Sequence, residues 1–443
     1  MDPAIAALVL LLQELRPAFT QPTFRRFVDV VFGWLLVRGP HAVTGALVAS
    51  GTAGRRHHAG YHRLFSGAAW EPDELGRLVF LQITRLMPEG APIPLVMDDT
   101  LAQKKGPKIF GLGTHLDPVR STRRVRIFTF GHVWVVLSVV VKLPFSRRPW
   151  ALPVLFRLYR NVKDCERNEA PYRKKTELAR QMVDVIATWA PERRFELAAD
   201  SAYCNDTVTR GLAEHVVLYG RMRPDAALSA PPEVGSAGRG RPRVRGARVP
   251  RPEEWAKDAS VPWRKLTVTL YGSTREVEFK SFKAQWYRAC GGRLLTIVVV
   301  RVSTGTVPFQ VFFCTDPTTN VAEVLERYAS RWAIEVTFRD LKQLLGFADS
   351  QARTPKAVLR TAPFAGLLYS VVVVWYATVG HGSRFDVVPL RPWYRQRRAP
   401  SLADMLEAVR RAVEHGGILD PARGGANFEV FEQVTSGRRR RAA

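Results

Sequence analysis

From about residue 91 the chain reads as three strands in a row and then helix, strand, helix, strand, an order that leaves few sheet arrangements open. "PIPLVMDD", "VWVVLSVVV" and "ALPVLFRLYRN" are the strands, rich in β-branched residues. "YRKKTELARQMVDVIATWA" is a helix, "RFELAADSAY" a strand, "NDTVTRGLAEH" a helix and "VVLYGRM" a strand. Strands that begin in succession and then alternate with helices predict an α/β sheet covered by helices.

The pattern has clear borders. Residues 1–88 read as short amphipathic helices broken by Gly and Pro. Two of them, "HAVTGALVAS" and "YHRLFSG", suit either a helix-turn-helix edged by Arg55, Arg56, His57, His58 and Arg63 or a plain bundle. Residues 89–223 hold the first part of the sheet. Residues 224–264 are rich in Pro, Gly and Arg, and a β-rich stretch follows, so 224–318 reads as an insertion into one fold. Residues 319–380 resume it, and 381–443 form a basic C-terminal region ending in "RRRR", expected as a disordered arm. "TAPFAGLLYSVVVVWYATVG", Thr361 to Gly380, is uncharged over about a bilayer's span. Its proline, its glycines and the soluble character of the rest favour a buried core helix.

Charge narrows the partner. Lys and Arg number 66 against 40 Asp and Glu, a net +26, and this excess points to a polyanion, with nucleic acid first. Cys165, Cys204, Cys290 and Cys314 form no CxxC pair, which suits a reducing cytoplasm and argues against a cysteine metal site. The start has no basic flank before its apolar run, so no signal peptide is expected.

The chemistry sits in three places. Asp98, with Asp99 beside it, follows "PLVM", and Asp200 follows "FELAA"; strand ends of open α/β sheets are where ligands bind. "YASRWAIEVTFRDLK" reads as one helix from Tyr328 to Lys342. At about 100° per residue Tyr328, Arg331, Glu335, Arg339 and Lys342 share one arc. Ile334, Phe338, Leu341 and Leu345 border it on one side, Trp332 and Val336 on the other. A charged stripe between apolar borders suits the wall of a groove. Asp98, Asp200 and Glu335 together form a hard-oxygen set suited to Mg²⁺ or Mn²⁺. Taken singly, each acid reads as a turn residue, and Glu335 as a helical partner of Arg331 or Arg339. Their co-occurrence with the basic charge favours the catalytic reading.

The spacing Tyr-x2-Arg-x3-Glu-x6-Lys, met by Tyr328, Arg331, Glu335 and Lys342, resembles the signature of cut-and-paste DDE transposases of bacterial insertion sequences. Asp98-Asp99-Thr100 matches that family's D-x-T context, and Asp200 in "LAADSAY" matches its second acid; the resemblance covers roughly residues 90–350. It implies a ribonuclease-H-like catalytic core with a β-rich insertion, flanked here by the helical N-terminal domain and a helical C-terminal region. It implies catalysis and binding of two divalent ions by Asp98, Asp200 and Glu335, with Asp99 the alternative first ligand. Tyr328, Arg331 and Lys342, with Arg339, would orient DNA phosphates. Double-stranded DNA, as inverted repeats and as target, would be the partner, a homodimer the assembly and the bacterial cytoplasm the location. Cleavage is expected through a hairpin, an aromatic holding a flipped base; Trp255, Trp263 and Trp286 are candidates for it, and equally for core packing.

Further DNA contacts are expected from "KKGPK", which carries Lys104 and Lys105. Others are expected from "GRGRP" and its neighbours, where Arg239, Arg241 and Arg243 could lie along phosphates or in a narrow minor groove. A non-catalytic DNA-binding protein on the same scaffold is the rival reading; it predicts a missing acid, and none of the three is missing.

Overall fold

The computed structural model describes residues 2–106, 108–122, 124–233, 243–301, 308–388, 399–420, 422 and 424–442, with only the backbone at 435 and 437–442. Five helices come first: α1 (Pro3–Glu14), α2 (Gln21–Leu36), α3 (Val43–Ala49), α4 (Ala59–Ser66) and α5 (Pro72–Thr84). Proline in the first turn starts α1, α2 and α5, where the missing N–H costs nothing. Residues 50–58 separate α3 from α4, longer than the tight turn of a helix-turn-helix.

The sheet is mixed. Its first strands are β1 (Ile93–Gln103), β2 (Gly113–Leu116), β3 (Phe128–Val141) and β4 (Trp150–Tyr159). After α6 (Val162–Arg167) and α7 (Lys175–Ala187) come β5 (Phe195–Ala199), α8 (Asp206–Thr209) and β6 (Val216–Met222). β1 lies between β3, antiparallel, and β5, parallel, and β6 continues parallel beyond β5. From Gly131 to Val141 every residue of β3 is buried, as a β-branched strand covered on both faces should be.

The predicted insertion extends this sheet instead of forming one of its own. It contains β7 (Leu228–Ser229), β8 (Arg248–Val249), α9 (Pro252–Lys257), β9 (Arg264–Leu270), β10 (Ser273–Gln285), α10 (Tyr287–Cys290), β11 (Leu294–Arg301) and β12 (Phe309–Cys314). β12 pairs with β6 from Val311↔Met222 to Cys314↔Tyr219, and β11, β10, β7 and β8 follow in order. Arg239 and Arg241 lie outside the described residues; Arg243 is exposed coil.

The predicted single helix over 328–342 is in fact two, α11 (Val321–Ser330) and α12 (Trp332–Leu344), which break at Arg331. α13 (Pro355–Trp375) carries the long apolar run, and 94% of its most apolar window is buried. It is a core helix: Ser370 donates to Pro153 O at 2.8 Å, and Trp375 Nε1 donates to Ala4 O at 2.8 Å. α14 (Leu402–His415) and α15 (Phe428–Ala442) close the chain, so the backbone of the terminal arginine run is helical, not a disordered arm. One continuous apolar core links α1–α5, the sheet, α13 and α14.

Candidate active site

The parallel ladder between β1 and β5 runs from Ile93↔Phe195 to Met97↔Ala199. One residue further on come Asp98 and Asp200, near enough for the charge of Asp200 to act on Asp98. Asp200 leaves the ladder there: it caps the 3₁₀ turn Ser201–Tyr203, accepting the Ser201 N–H at 2.7 Å. Asp98 does not end its strand, as the sequence suggested. β1 continues to Gln103 because β3 still pairs with it, Asp98 opposite Val136.

Alternation along β1 sends Asp98 and Asp99 to opposite faces. Asp99 is held by Tyr203 Oη at 2.7 Å and Lys175 Nζ at 2.7 Å. Asp98 instead meets Arg331, whose Nη1 donates to Asp98 Oδ2 at 2.7 Å while Nη2 donates to Glu335 Oε1 at 2.8 Å. A guanidinium at the α11–α12 break thus ties the first acid to the third, with Asp200 next to the first. Burial pushes the Asp98 carboxyl up to about 6. Arg331 and the Asp99 N–H pull it back, while the charges of Asp99 and Asp200 add to the rise.

The predicted border of α12 is buried as expected, Ile334, Phe338, Leu341 and Leu345 all facing the core. Val336 is buried, but Trp332 is 49% exposed and meets the exposed Tyr271 edge-on at 6.2 Å. Tyr328, on α11, lies 4.8 Å from the Phe312 ring, with Arg331 Cζ 6.0 Å from its own. Burial pushes its phenol up to about 12, so it stays a neutral donor. Lys342 makes no hydrogen bond or ion pair among the described residues; burial lowers its pKa and nearby Asp117 works against that. Arg339 is exposed and turns to Asp340 at 2.8 Å. Lys104 is not free to grip a phosphate: its ammonium donates to Ala348 O at 2.7 Å and Ser350 O at 2.5 Å, whereas Lys105 is exposed.

The aromatic candidates are all engaged. Trp255 stacks on Phe282 at 4.4 Å, Trp263 lies under Arg301 at 4.4 Å, and Trp286 meets Phe313 edge-on at 5.5 Å. Sequence reasoning missed Lys175 and Tyr203, the partners of Asp99. Tyr203 sits three residues after Asp200, and Lys175 starts α7, a dipole end that does not favour a cation. That placement was the available signal.

Three carboxylates are a fitting donor set for a hard divalent cation, and the half-buried Asp98 already draws a cation, Arg331, to it. Among the described residues, though, no three His, Cys, Asp or Glu side chains stand close enough to hold an ion together. Arg331 stands between two of them, so the fit requires its guanidinium to move aside.

The family model described as DDE superfamily endonuclease matches residues 14–277, a stretch that carries Asp98 and Asp200 and stops short of Glu335. No curated protein matches the chain. Among solved structures, piggyBac transposase in a cryo-EM synaptic complex with hairpin DNA is 11% identical, with 98% of this chain and 82% of that chain covered and a TM-score of 0.39.

Proposed function

The chain belongs to the DDE superfamily endonuclease family, and from that premise we propose that it is a DNA transposase. On this reading it cleaves DNA at transposon inverted repeats and joins the freed 3′ ends to target DNA, by cut-and-paste through a hairpin. The carrying observation is the Arg331 bridge between Asp98 and Glu335, with Asp200 close enough for its charge to act on Asp98. Two of the three acids share one guanidinium and the third acts electrostatically on the first, in a protein of net charge +26.

Asp98, Asp200 and Glu335 would hold two Mg²⁺ or Mn²⁺ ions, whose chemistry is to activate water or a 3′-hydroxyl and to neutralise the leaving oxyanion. Arg331, once moved aside, would pair with a phosphate, for which its planar fork is suited. Lys342 would add a point charge, and Tyr328 would donate to a phosphate oxygen without titrating. Arg339, Lys105 and Arg243 remain exposed for more distant backbone contacts. The strand order β4–β3–β1–β5–β6, with one acid on β1 and the other just past the parallel β5, supports a ribonuclease-H-like core. Residues 1–88 would recognise the repeats, and a homodimer would hold two ends.

The test is strand cleavage of inverted-repeat duplex with Mg²⁺. Wild type should cut, stop on chelation and resume with Mg²⁺ or Mn²⁺; Asp200→Asn should bind DNA and not cut. Equal cutting by both removes the proposed site. A non-catalytic DNA-binding role on the same scaffold is favoured by one observation, the absence of a gathered three-acid group among the described residues. Binding without any metal-dependent cutting would establish it.

A further inference from the structure

We propose that the β2–β3 hairpin, residues 113–131, is a DNA-gripping ribbon that lays its apolar face in a groove of the duplex. The proposal rests on the DNA reading above and adds a surface to it.

Register divides the ribbon into two faces. Leu116 pairs with Phe128 and Thr114 with Phe130, so these four side chains project together, while His115 pairs with Thr129 on the other side. The second face belongs to the protein: His115 and Asp117 are buried, and Asp117 accepts from Thr129 Oγ1 at 3.2 Å. The first face has no cover. Leu116 is 46% exposed, Phe128 61% and Phe130 44%, with Val119 at 91% and Val125 at 57% towards the tip. Two phenylalanines, a leucine and two valines left in water on one projection form a patch that monomeric surfaces rarely keep without use.

Described residues of the tip hydrogen-bond one another. Asp117 accepts from the N–H groups of Val119 and Arg120, at 3.1 and 3.2 Å. Ser121 Oγ accepts from Ile127 N at 2.9 Å, and Thr122 N donates to Val125 O at 2.8 Å. A ribbon held in shape before binding loses little entropy on binding.

Charge selects the occupant. The segment "LDPVRSTRRVRIF" holds four arginines and one acid. Arg120, Arg124 and Arg126 are exposed and make no ion pair with any described residue. That acid, Asp117, is buried and occupied in the turn. A second copy of so basic a chain would meet like charge here, whereas DNA offers phosphates for the arginines and sugar and base edges for the apolar row. A two-stranded ribbon is narrow enough to enter the major groove, and apolar side chains are common wedges at base steps. Position agrees: Asp117, at the ribbon's root, is the acid that acts on Lys342, and Lys104 N donates to Phe130 O at 3.1 Å, so the exposed Lys105 leaves β1 alongside. DNA lying on the proposed site would run over the ribbon.

The full-length protein is titrated onto a fluorescein-labelled mixed-sequence duplex of about 30 base pairs, roughly three helical turns, over a range of salt. Replacing the three arginines (Arg120→Ala, Arg124→Ala, Arg126→Ala) should lower the salt slope of log Kd by about 2 to 3, since each phosphate contact contributes about 0.9. Phe128→Ser with Phe130→Ser should weaken binding about tenfold at an unchanged slope. Phe128→p-benzoylphenylalanine, in an otherwise unaltered chain, should photocrosslink to the duplex. Wild-type affinity and slope in both variants, with no crosslink, would overturn the ribbon's role while leaving the DNA reading intact. Loss of self-association with DNA binding unchanged would assign the patch to a second copy and likewise overturn it. Failure of the wild type to bind duplex would remove the DNA reading itself.

Discussion

Arg331 and Asp98 are joined by a 2.7 Å ion pair across 233 residues of sequence, and the same guanidinium reaches Glu335. A cation already lies between two of the acids proposed to hold a metal ion. On that proposal divalent metal and this arginine compete, and anything that draws the guanidinium away, a DNA phosphate above all, favours the metal. Arg331→Ala should bind Mn²⁺ more tightly than wild type without DNA, by about tenfold for roughly 1.4 kcal/mol of relieved competition. The same variant should cleave less, having lost the phosphate contact proposed for Arg331. Electron paramagnetic resonance of free Mn²⁺ reads the first effect independently of activity. Unchanged or weaker Mn²⁺ binding would rule out competition.

Gly76 seats α5 on the sheet. A Cβ built there would stand 2.1 Å from Val154 O, a backbone atom of β4 that no rotamer change can move. Gly76→Ala must push helix and strand apart, and overpacking of this kind costs about 3 kcal/mol. The urea midpoint should fall. A midpoint equal to wild type would mean that α5 and β4 do not approach so closely in solution.

Arg360 is almost fully buried on α13 and donates to Ala68 O at 2.8 Å, Phe65 O at 3.3 Å and Trp70 O, with its guanidinium 4.9 Å from the Trp70 ring. It is how the long apolar helix holds the turn between α4 and α5. Arg360→Met fills similar space but takes the donor from Phe65 O and Trp70 O, leaving Ala68 O only the Trp70 N–H, at about 1–3 kcal/mol for each buried group left unpaired. Arg360→Lys should recover less than half of the loss, because one ammonium cannot reproduce the planar fork. Thermal melting of the two variants separates charge from geometry; equal stability of Lys and Arg forms would show that charge alone suffices.

What could be read from the sequence follows from where its information lies. β1, β3, β4, β5 and β6 were legible because each is a short apolar run bounded by turn residues. α13 was legible as a core helix from its lack of charge together with Pro363 and Gly366. The break at Arg331 was not, since α-helical periodicity passes through it almost undisturbed. The continuation of β1 past Asp98 depends on pairing with β3, a partner that local pattern does not name. Lys104 turned inward for the same reason: the carbonyls of Ala348 and Ser350, far along the chain, are what hold it. Asp98, Asp200 and Glu335 were candidates from the sequence alone, while Lys175, Tyr203 and the exposed ribbon face needed the register.

His132 gives a pH dependence of defined sign. It is buried on β3, with Nε2 2.9 Å from Phe110 O, and burial lowers its pKa from 6.5 to about 4. As pH falls below 6.5 the unfolded chain takes up a proton on this imidazole while the folded chain does not, so stability falls with pH until about 4. The gap corresponds to about 3 kcal/mol at most. Asp98, Glu196 and Asp29 act in the opposite direction, since burial raises each of them and protonation on acidification relieves a buried charge. The imidazole's share is therefore isolated by difference. His132→Gln keeps a donor for Phe110 O but cannot titrate, and its stability should drop less than wild type between pH 6.5 and 4. Urea unfolding at closely spaced pH values measures both curves, and parallel curves would mean that His132 is not held neutral in the folded chain.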